Sequence, residues 1–288
     1  MDFIQMLFFM FLIMWYMIFI YLYAFLYFNY AKEHKVSSDG EDAKGMPSYI
    51  NPTNLSKLLY NKILPEVFTS CIINLINNKV LYLKNEDEVD YICINRNNEL
   101  KLSSSQKYAI KLLIDYVGDG EKVSLDYLST YCDTYSGSSN FYINYQVWLK
   151  MTIKETNDVM YYEQKMGYYK IKAFKYAGIL LFAMNFFVSF RFSIGFFIII
   201  PAFYILFFYY NVYRRTPESQ KLYIKWMEYK NYLLNNKHIK VEDAVYAPVF
   251  QIVENLEFDN SKVITRLNDI LVKDIRRANS YGSKGPAI

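Results

Sequence analysis

The sequence is poor in the residues that carry chemistry at neutral pH, with two histidines and three cysteines among 288 residues. His34 lies in a polar stretch and His238 in an NNKHIK turn. Neither has a cysteine, serine or acid at a spacing that would make it a general base for a nucleophile. Cys71, Cys93 and Cys132 form no CxxC pair, and isolated thiols with isolated histidines do not supply the ligand set of a zinc site. No GxxxxGK[ST], GxGxxG, HExxH or GxSxG is present. The expectation is a chain that is not an enzyme and that needs no metal or cofactor, with its cysteines reduced and buried or half-buried.

Charge of one sign is also missing where a nucleic-acid surface would need it. The net charge is +4, but residues 31–170 hold 16 Lys and Arg against 18 Asp and Glu, while residues 214–288 hold 13 against 9. The larger polar part is mildly acidic, which argues against a general phosphate-binding face. No small-molecule substrate is evident.

What the sequence has in abundance is apolar length. Residues 3–29 are almost uninterrupted Phe, Leu, Ile, Met and Tyr, and a second block runs over 176–213, broken by Arg191. Both are of membrane length. The first lacks a basic leader and a small-x-small cleavage site, so it is expected to anchor rather than to be removed.

Lys32 and Lys35 follow the first stretch. Lys170, Lys172 and Lys175 precede the second block, and Arg214, Arg215 and Lys221 follow it. Basic flanks remain in the cytoplasm. The reading is therefore a multi-pass protein of the cell membrane with its N-terminus outside and its C-terminus cytoplasmic, the lipid bilayer being its first partner. Arg191 is placed in the outer-interface turn, where a guanidinium is far cheaper than at mid-bilayer.

The rest reads as follows. A polar linker covers 30–47, and Asn51-Pro52 starts a helix with Leu55, Leu58 and Leu59 on one face. A second helix begins near Pro65 and ends at Asn77-Asn78. Two strands, residues 80–83 and 91–95, flank a polar loop, Asn85 to Asp90, that carries Glu86, Asp87, Glu88 and Asp90. Serines at 103–105 cap a helix to Val117, another helix follows Val123, and a long amphipathic pattern runs toward the second apolar block.

Helix, helix, hairpin is the order of a winged helix. The expected fold class is an integral membrane protein, mostly α, with three transmembrane helices, a winged-helix-like (α+β) cytoplasmic domain and a helical C-terminal domain. The boundaries are transmembrane helices at 3–29, 172–190 and 192–213, a winged-helix-like domain at 48–135, and an amphipathic helix at 138–171. A helical domain at 214–278 and a disordered tail at 279–288 complete them.

SYINPTNLSKLLYNKILPEVFTSCIINLINNKVLYL resembles the P-x-x-L…T-A-x-L-L-x-L-x-x-x-G-Y-I segment of the YciQ-like predicted membrane proteins, a bacterial family of unknown function. RRTPESQKLYIKWMEYKNYLL, residues 214–234, is similar to the T-x-x-G…W-x-x-F-x-x-Y-L stretch after that family's membrane hairpin. The resemblance covers roughly residues 47–246. It departs at Leu75 to Lys79, where the family's turn glycine is absent and an asparagine is expected to take the tight conformation. It departs again in VEDAVYAPVFQIVENL, which lacks the tryptophan usual before the Y-A pair. Larger members carry an extracytoplasmic β domain that has no counterpart ahead of the first apolar stretch. The resemblance implies an architecture and no reaction.

For DNA binding, the candidate recognition helix at 65–77 has Glu66 and no Lys or Arg, leaving Asn74 and Asn77 as base readers, and its wing is acidic. The favoured expectation is a membrane-anchored, non-catalytic adaptor that binds a protein partner, with Glu86, Asp87, Glu88 and Asp90 as its possible contact. The alternative is a membrane-tethered transcriptional regulator.

Overall fold

The computed structural model describes residues 32–36, 45–156, 161–162, 214–236 and 238–282, with single positions within 6–28 and at 176 and 179. The chain divides into two units, residues 1–37 with 160–221, and residues 38–159 with 222–288. Each is described by itself.

In the larger unit, Asn51 caps helix α1 (Pro52–Tyr60), accepting from the Thr53 N–H at 2.9 Å, with Pro52 at the first turn. Helix α2 (Glu66–Asn77) is the centre of the core, with Val67, Phe68, Ile72, Ile73 and Leu75 buried. It ends in a paired turn: the Lys79 N–H donates to Ile76 O at 2.9 Å and the Val80 N–H to Leu75 O at 3.0 Å. Lys79 itself takes the left-handed conformation, at φ 57°. The tight residue is thus Lys79 rather than an asparagine, because the reversed bonds place the left-handed position two residues after the helix.

Strands β1 (Leu81–Glu86) and β2 (Val89–Ile94) pair antiparallel from Leu81 opposite Ile94 to Glu86 opposite Val89. A short third strand, β3 (Lys122–Ser124), adds to β2 and completes the sheet. Between them, Ser103 and Gln106 form a reciprocal cap on α3 (Ser104–Ile110), which continues as a π-helix, Lys111–Val117. Helix α4 (Leu125–Tyr131) and helix α5 (Tyr135–Glu155) follow. Phe68 meets Trp148 of α5 edge-on at 4.8 Å and Tyr145 at 6.1 Å.

The C-terminal elements are α6 (Pro217–Asn235), the short α7 (Val241–Ala244) and α8 (Ala247–Phe250), and α9 (Ser261–Gly282). Helix α8 ends where Gln251 turns left-handed at φ 59°, its N–H donating to the Ala247 and Pro248 carbonyls. Ile264, Leu267, Leu271, Ile275 and Ala278 form the buried stripe of α9. Trp226 packs at 5.6 Å from Tyr229 and 5.0 Å from Tyr246.

Several expectations are corrected. Among the described residues no helix is long and apolar enough to cross a membrane, so the three-transmembrane-helix fold class is replaced by mixed helix with a small three-stranded sheet. The turn at Arg191 and most of residues 3–29, 172–190 and 192–213 lie outside the described residues. The winged helix is not what forms: α7, α8 and α9 all pack on α2, the helix that would have to be bare to enter a groove. The C-terminal helices from 222 onward belong to the same unit as residues 38–159, so they do not make a separate helical domain. Helix α5 stops at Glu155 with Thr156 extended, and α9 continues to Gly282, into the stretch expected to be a tail.

Candidate functional site

The acidic hairpin is built by a two-residue turn. Asp87 and Glu88 both lie in the left-handed region, at φ 49° and 65°, the conformation that a tight hairpin turn demands. Aspartate tolerates it, whereas a glutamate there is held by the flanking ladder. The expected six-residue loop therefore shrinks to an apex of two acids, and the strands run right up to it.

The other two acids are engaged within the chain. Glu86 receives Lys122 Nζ at 2.6 Å on Oε2 and Lys84 Nζ at 2.5 Å on Oε1. Hydrogen bonds from Lys122 and then Lys84 hold its carboxyl down at about 2. Lys122 also lies 4.3 Å from the Tyr91 ring centroid, which ties β3 to the shaft. Asp90 accepts from Asn85 Nδ2 at 2.8 Å and sits 3.5 Å from the guanidinium of Arg266, which also bonds Asp126. Sequence reasoning grouped the four acids as one contact. The structure divides them into a paired shaft, Glu86 and Asp90, and an apex, Asp87 and Glu88, that makes no ion pair among the described residues.

The proposed base readers are occupied. Asn74 Oδ1 accepts from Asn78 Nδ2 at 2.6 Å, and Asn77 Nδ2 donates to the Val241 carbonyl at 2.9 Å, fixing the end of α2 beneath α7. Glu66 is buried at the start of α2, where Arg276 reaches it at 3.2 Å.

A polar cleft of about 240 Å³ lies between α1, α2, α3 and α5. At its edge the Glu155 carboxylate accepts from the Ser105 N–H at 2.7 Å and from Ser103 Oγ at 2.9 Å, with Ser105 Oγ a further donor. Burial works to raise its pKa, but these donors outweigh it and hold the group below the ordinary range. This carboxylate ties the end of α5 to the start of α3.

Cys71 lines the same cleft, and burial pushes its thiol up to about 12, so it is no nucleophile at neutral pH. All three cysteines are free, Cys93 and Cys132 buried and Cys71 half-buried. Among the described residues no group of three or more His, Cys, Asp or Glu is placed to hold a metal ion. His238 Nδ1 lies 3.2 Å from Glu257 at an exposed site.

The smaller unit contains a contact that sequence reasoning missed. The Arg215 N–H donates to Glu33 Oε2 at 3.1 Å and its guanidinium to Oε1 at 2.7 Å, while the guanidinium lies 5.5 Å from the Tyr162 ring centroid. Tyr162 and Arg215 form an antiparallel bridge, and the Thr216 N–H donates to Tyr161 O at 3.1 Å. Three segments meet here: the one after the first apolar stretch, the one leading toward the second block, and the one following that block. Their only sequence signal was a shared position beside apolar runs.

Residues 42–244 match the family model described as "Predicted membrane protein (DUF2207) C-terminal domain". No curated protein and no solved structure matches the chain.

Proposed function

Since the chain belongs to the family of the predicted membrane protein (DUF2207) C-terminal domain, we propose that it is a membrane-held, non-catalytic adaptor whose hairpin apex docks a basic protein partner. The observation that carries this reading is the division of the four acids. Glu86 and Asp90 are neutralised by Lys84, Lys122 and Arg266, whereas Asp87 and Glu88 stand at the end of a fixed two-residue turn. Acids presented by a shaft that is already paired and hydrogen-bonded lose little conformational freedom on binding, which favours recognition by a cationic surface.

The described unit of residues 38–159 and 222–288 is read as facing the cytoplasm. Support comes from the bases that flank the apolar runs and from the junction at which Glu33, Tyr162 and Arg215, from three segments around those runs in the sequence, meet. Intact cells should leave the hairpin protected from added protease, and inside-out vesicles should expose it. The reverse pattern rejects this orientation.

The competing reading, a tethered DNA-binding regulator, requires a bare helix with free amides and phosphate-binding cations. Here α2 is packed under α7, α8 and α9, and Asn77 is tied to Val241. The adaptor reading expects recovery of a discrete basic protein by the wild-type chain and its loss in D87K/E88K. Salt-sensitive retention of duplex DNA by the wild type would instead favour the regulator.

A further inference from the structure

The cleft between α1, α2, α3 and α5 has unmet hydrogen-bonding capacity on its walls. Ser70 and Trp148 both line it and are fully buried. The Ser70 hydroxyl has no hydrogen-bond partner among the described residues, and the Trp148 indole N–H has only the Cys71 thiol, a weak acceptor, beside it. That contact sets the indole N–H against the turn of α2 that carries Ser70. Buried polar groups are nearly always paired, so two such atoms on one cavity mark a place where something else supplies the partner. At about 240 Å³ the cavity has room for well over a single bridging water.

The character of the missing partner follows from what the walls still offer. Three amides that line the cleft have their side-chain oxygens engaged inside the fold. Asn51 accepts from the Thr53 N–H at 2.9 Å, Asn74 from Asn78 at 2.6 Å and Gln106 from the Ser103 N–H at 3.0 Å, so each keeps amide N–H groups to donate. Glu155 already accepts from Ser103 and from both the N–H and the hydroxyl of Ser105. The groups left over are thus mainly donors, which pair with acceptor oxygens and not with ammonium groups. Among the described residues no Lys, Arg or His lines the cleft to neutralise an anion, and the Glu155 charge repels one.

We infer that the cleft binds a small uncharged amide, whose carbonyl oxygen accepts from the Trp148 indole N–H and the Ser70 hydroxyl. A carbonyl oxygen has two lone pairs and no charge, which is what two buried donors without a neighbouring cation require. The site is independent of the adaptor reading, since no described residue of the hairpin lines the cleft.

The test uses the full chain in a nonionic detergent, isotope-labelled at the indole nitrogens of its three tryptophans. Heteronuclear correlation spectra follow the indole N–H signals as pyrrolidone, acetate or methylammonium is added. The Trp148 signal is assigned through its contact with the Phe68 ring, 4.8 Å between centroids. Trp226 is the control, since its indole N–H is also buried and without a partner among the described residues but does not line this cleft. Pyrrolidone should move the Trp148 signal downfield along a saturable curve and leave Trp226 in place, and the two ions should move neither. S70A removes a hydroxyl that has no bond in the fold to lose, and should raise the half-saturating pyrrolidone concentration about fivefold. An equal response to acetate or methylammonium overturns the uncharged class. A Trp148 signal that pyrrolidone does not move, or moves only together with Trp226, overturns the site and leaves its donors to water. Wild-type saturation in S70A overturns the role of Ser70. If S70A does not fold, the comparison of the three probes on the wild type decides the inference by itself.

Discussion

Glu33 and Arg215 are joined by two hydrogen bonds, at 3.1 Å to the backbone N–H and 2.7 Å to the guanidinium, across 182 residues of chain. The arginine side chain is largely buried and the glutamate is about one-third exposed. Removing the carboxylate therefore takes a charged partner from a cation that water reaches poorly. E33Q should cost about 2 kcal/mol of stability, as expected for a charge-assisted pair that is partly shielded. A double-mutant cycle with R215Q, read by denaturant unfolding, should show a favourable coupling. Additive losses would mean that the two side chains do not act together.

Lys79 occupies the left-handed position that closes α2, and its β-carbon makes that conformation unfavourable. K79G should raise stability by about 1 kcal/mol, because glycine takes the conformation without the steric penalty. The midpoint of urea unfolding should rise with its slope unchanged. A lower midpoint would show that the Lys79 side chain stabilises the fold by more than its backbone conformation costs.

Asp274 is completely buried on α9, and both its carboxylate oxygens lack a hydrogen-bond partner among the described residues. Burial pushes its pKa up to about 7, with Lys273 a smaller opposing influence. A carboxyl whose folded pKa lies above its unfolded value stabilises the fold at low pH. That contribution is lost as pH rises from about 4 toward 7 and does not change further above that window. The slope is at most about 1.4 kcal/mol per pH unit. D274N should flatten the profile and make the protein more stable than wild type at pH 8. An unchanged slope in D274N would assign the pH dependence to another group.

The helices were readable where a local signal exists: Asn51-Pro52 for α1, the serine cap for α3, and the apolar stripe of α2. The hairpin was readable from its β-formers. Less readable were features decided by partners distant in sequence. Helix α5 ends where Glu155 reaches Ser103 and Ser105, about fifty residues earlier in the chain. The three-residue β3 is too short to carry a periodic pattern and exists because β2 offers it an edge.

The four acids formed one group by spacing alone, and only the fold brings Lys122 to Glu86 and Arg266 to Asp90. The covering of α2 by α7, α8 and α9 was equally invisible, since an apolar stripe on α9 does not say which helix it meets.

The adaptor reading is tested most directly at the apex. A photo-crosslinking side chain placed at Glu88 of the full chain in intact cells should give one discrete adduct with a basic protein. Addition of D87N should weaken that adduct while the thermal midpoint remains unchanged, because asparagine also tolerates the left-handed conformation and Asp87 makes no ion pair among the described residues. An adduct pattern that is unaffected by D87N, or no adduct at all, would contradict recognition through the hairpin apex.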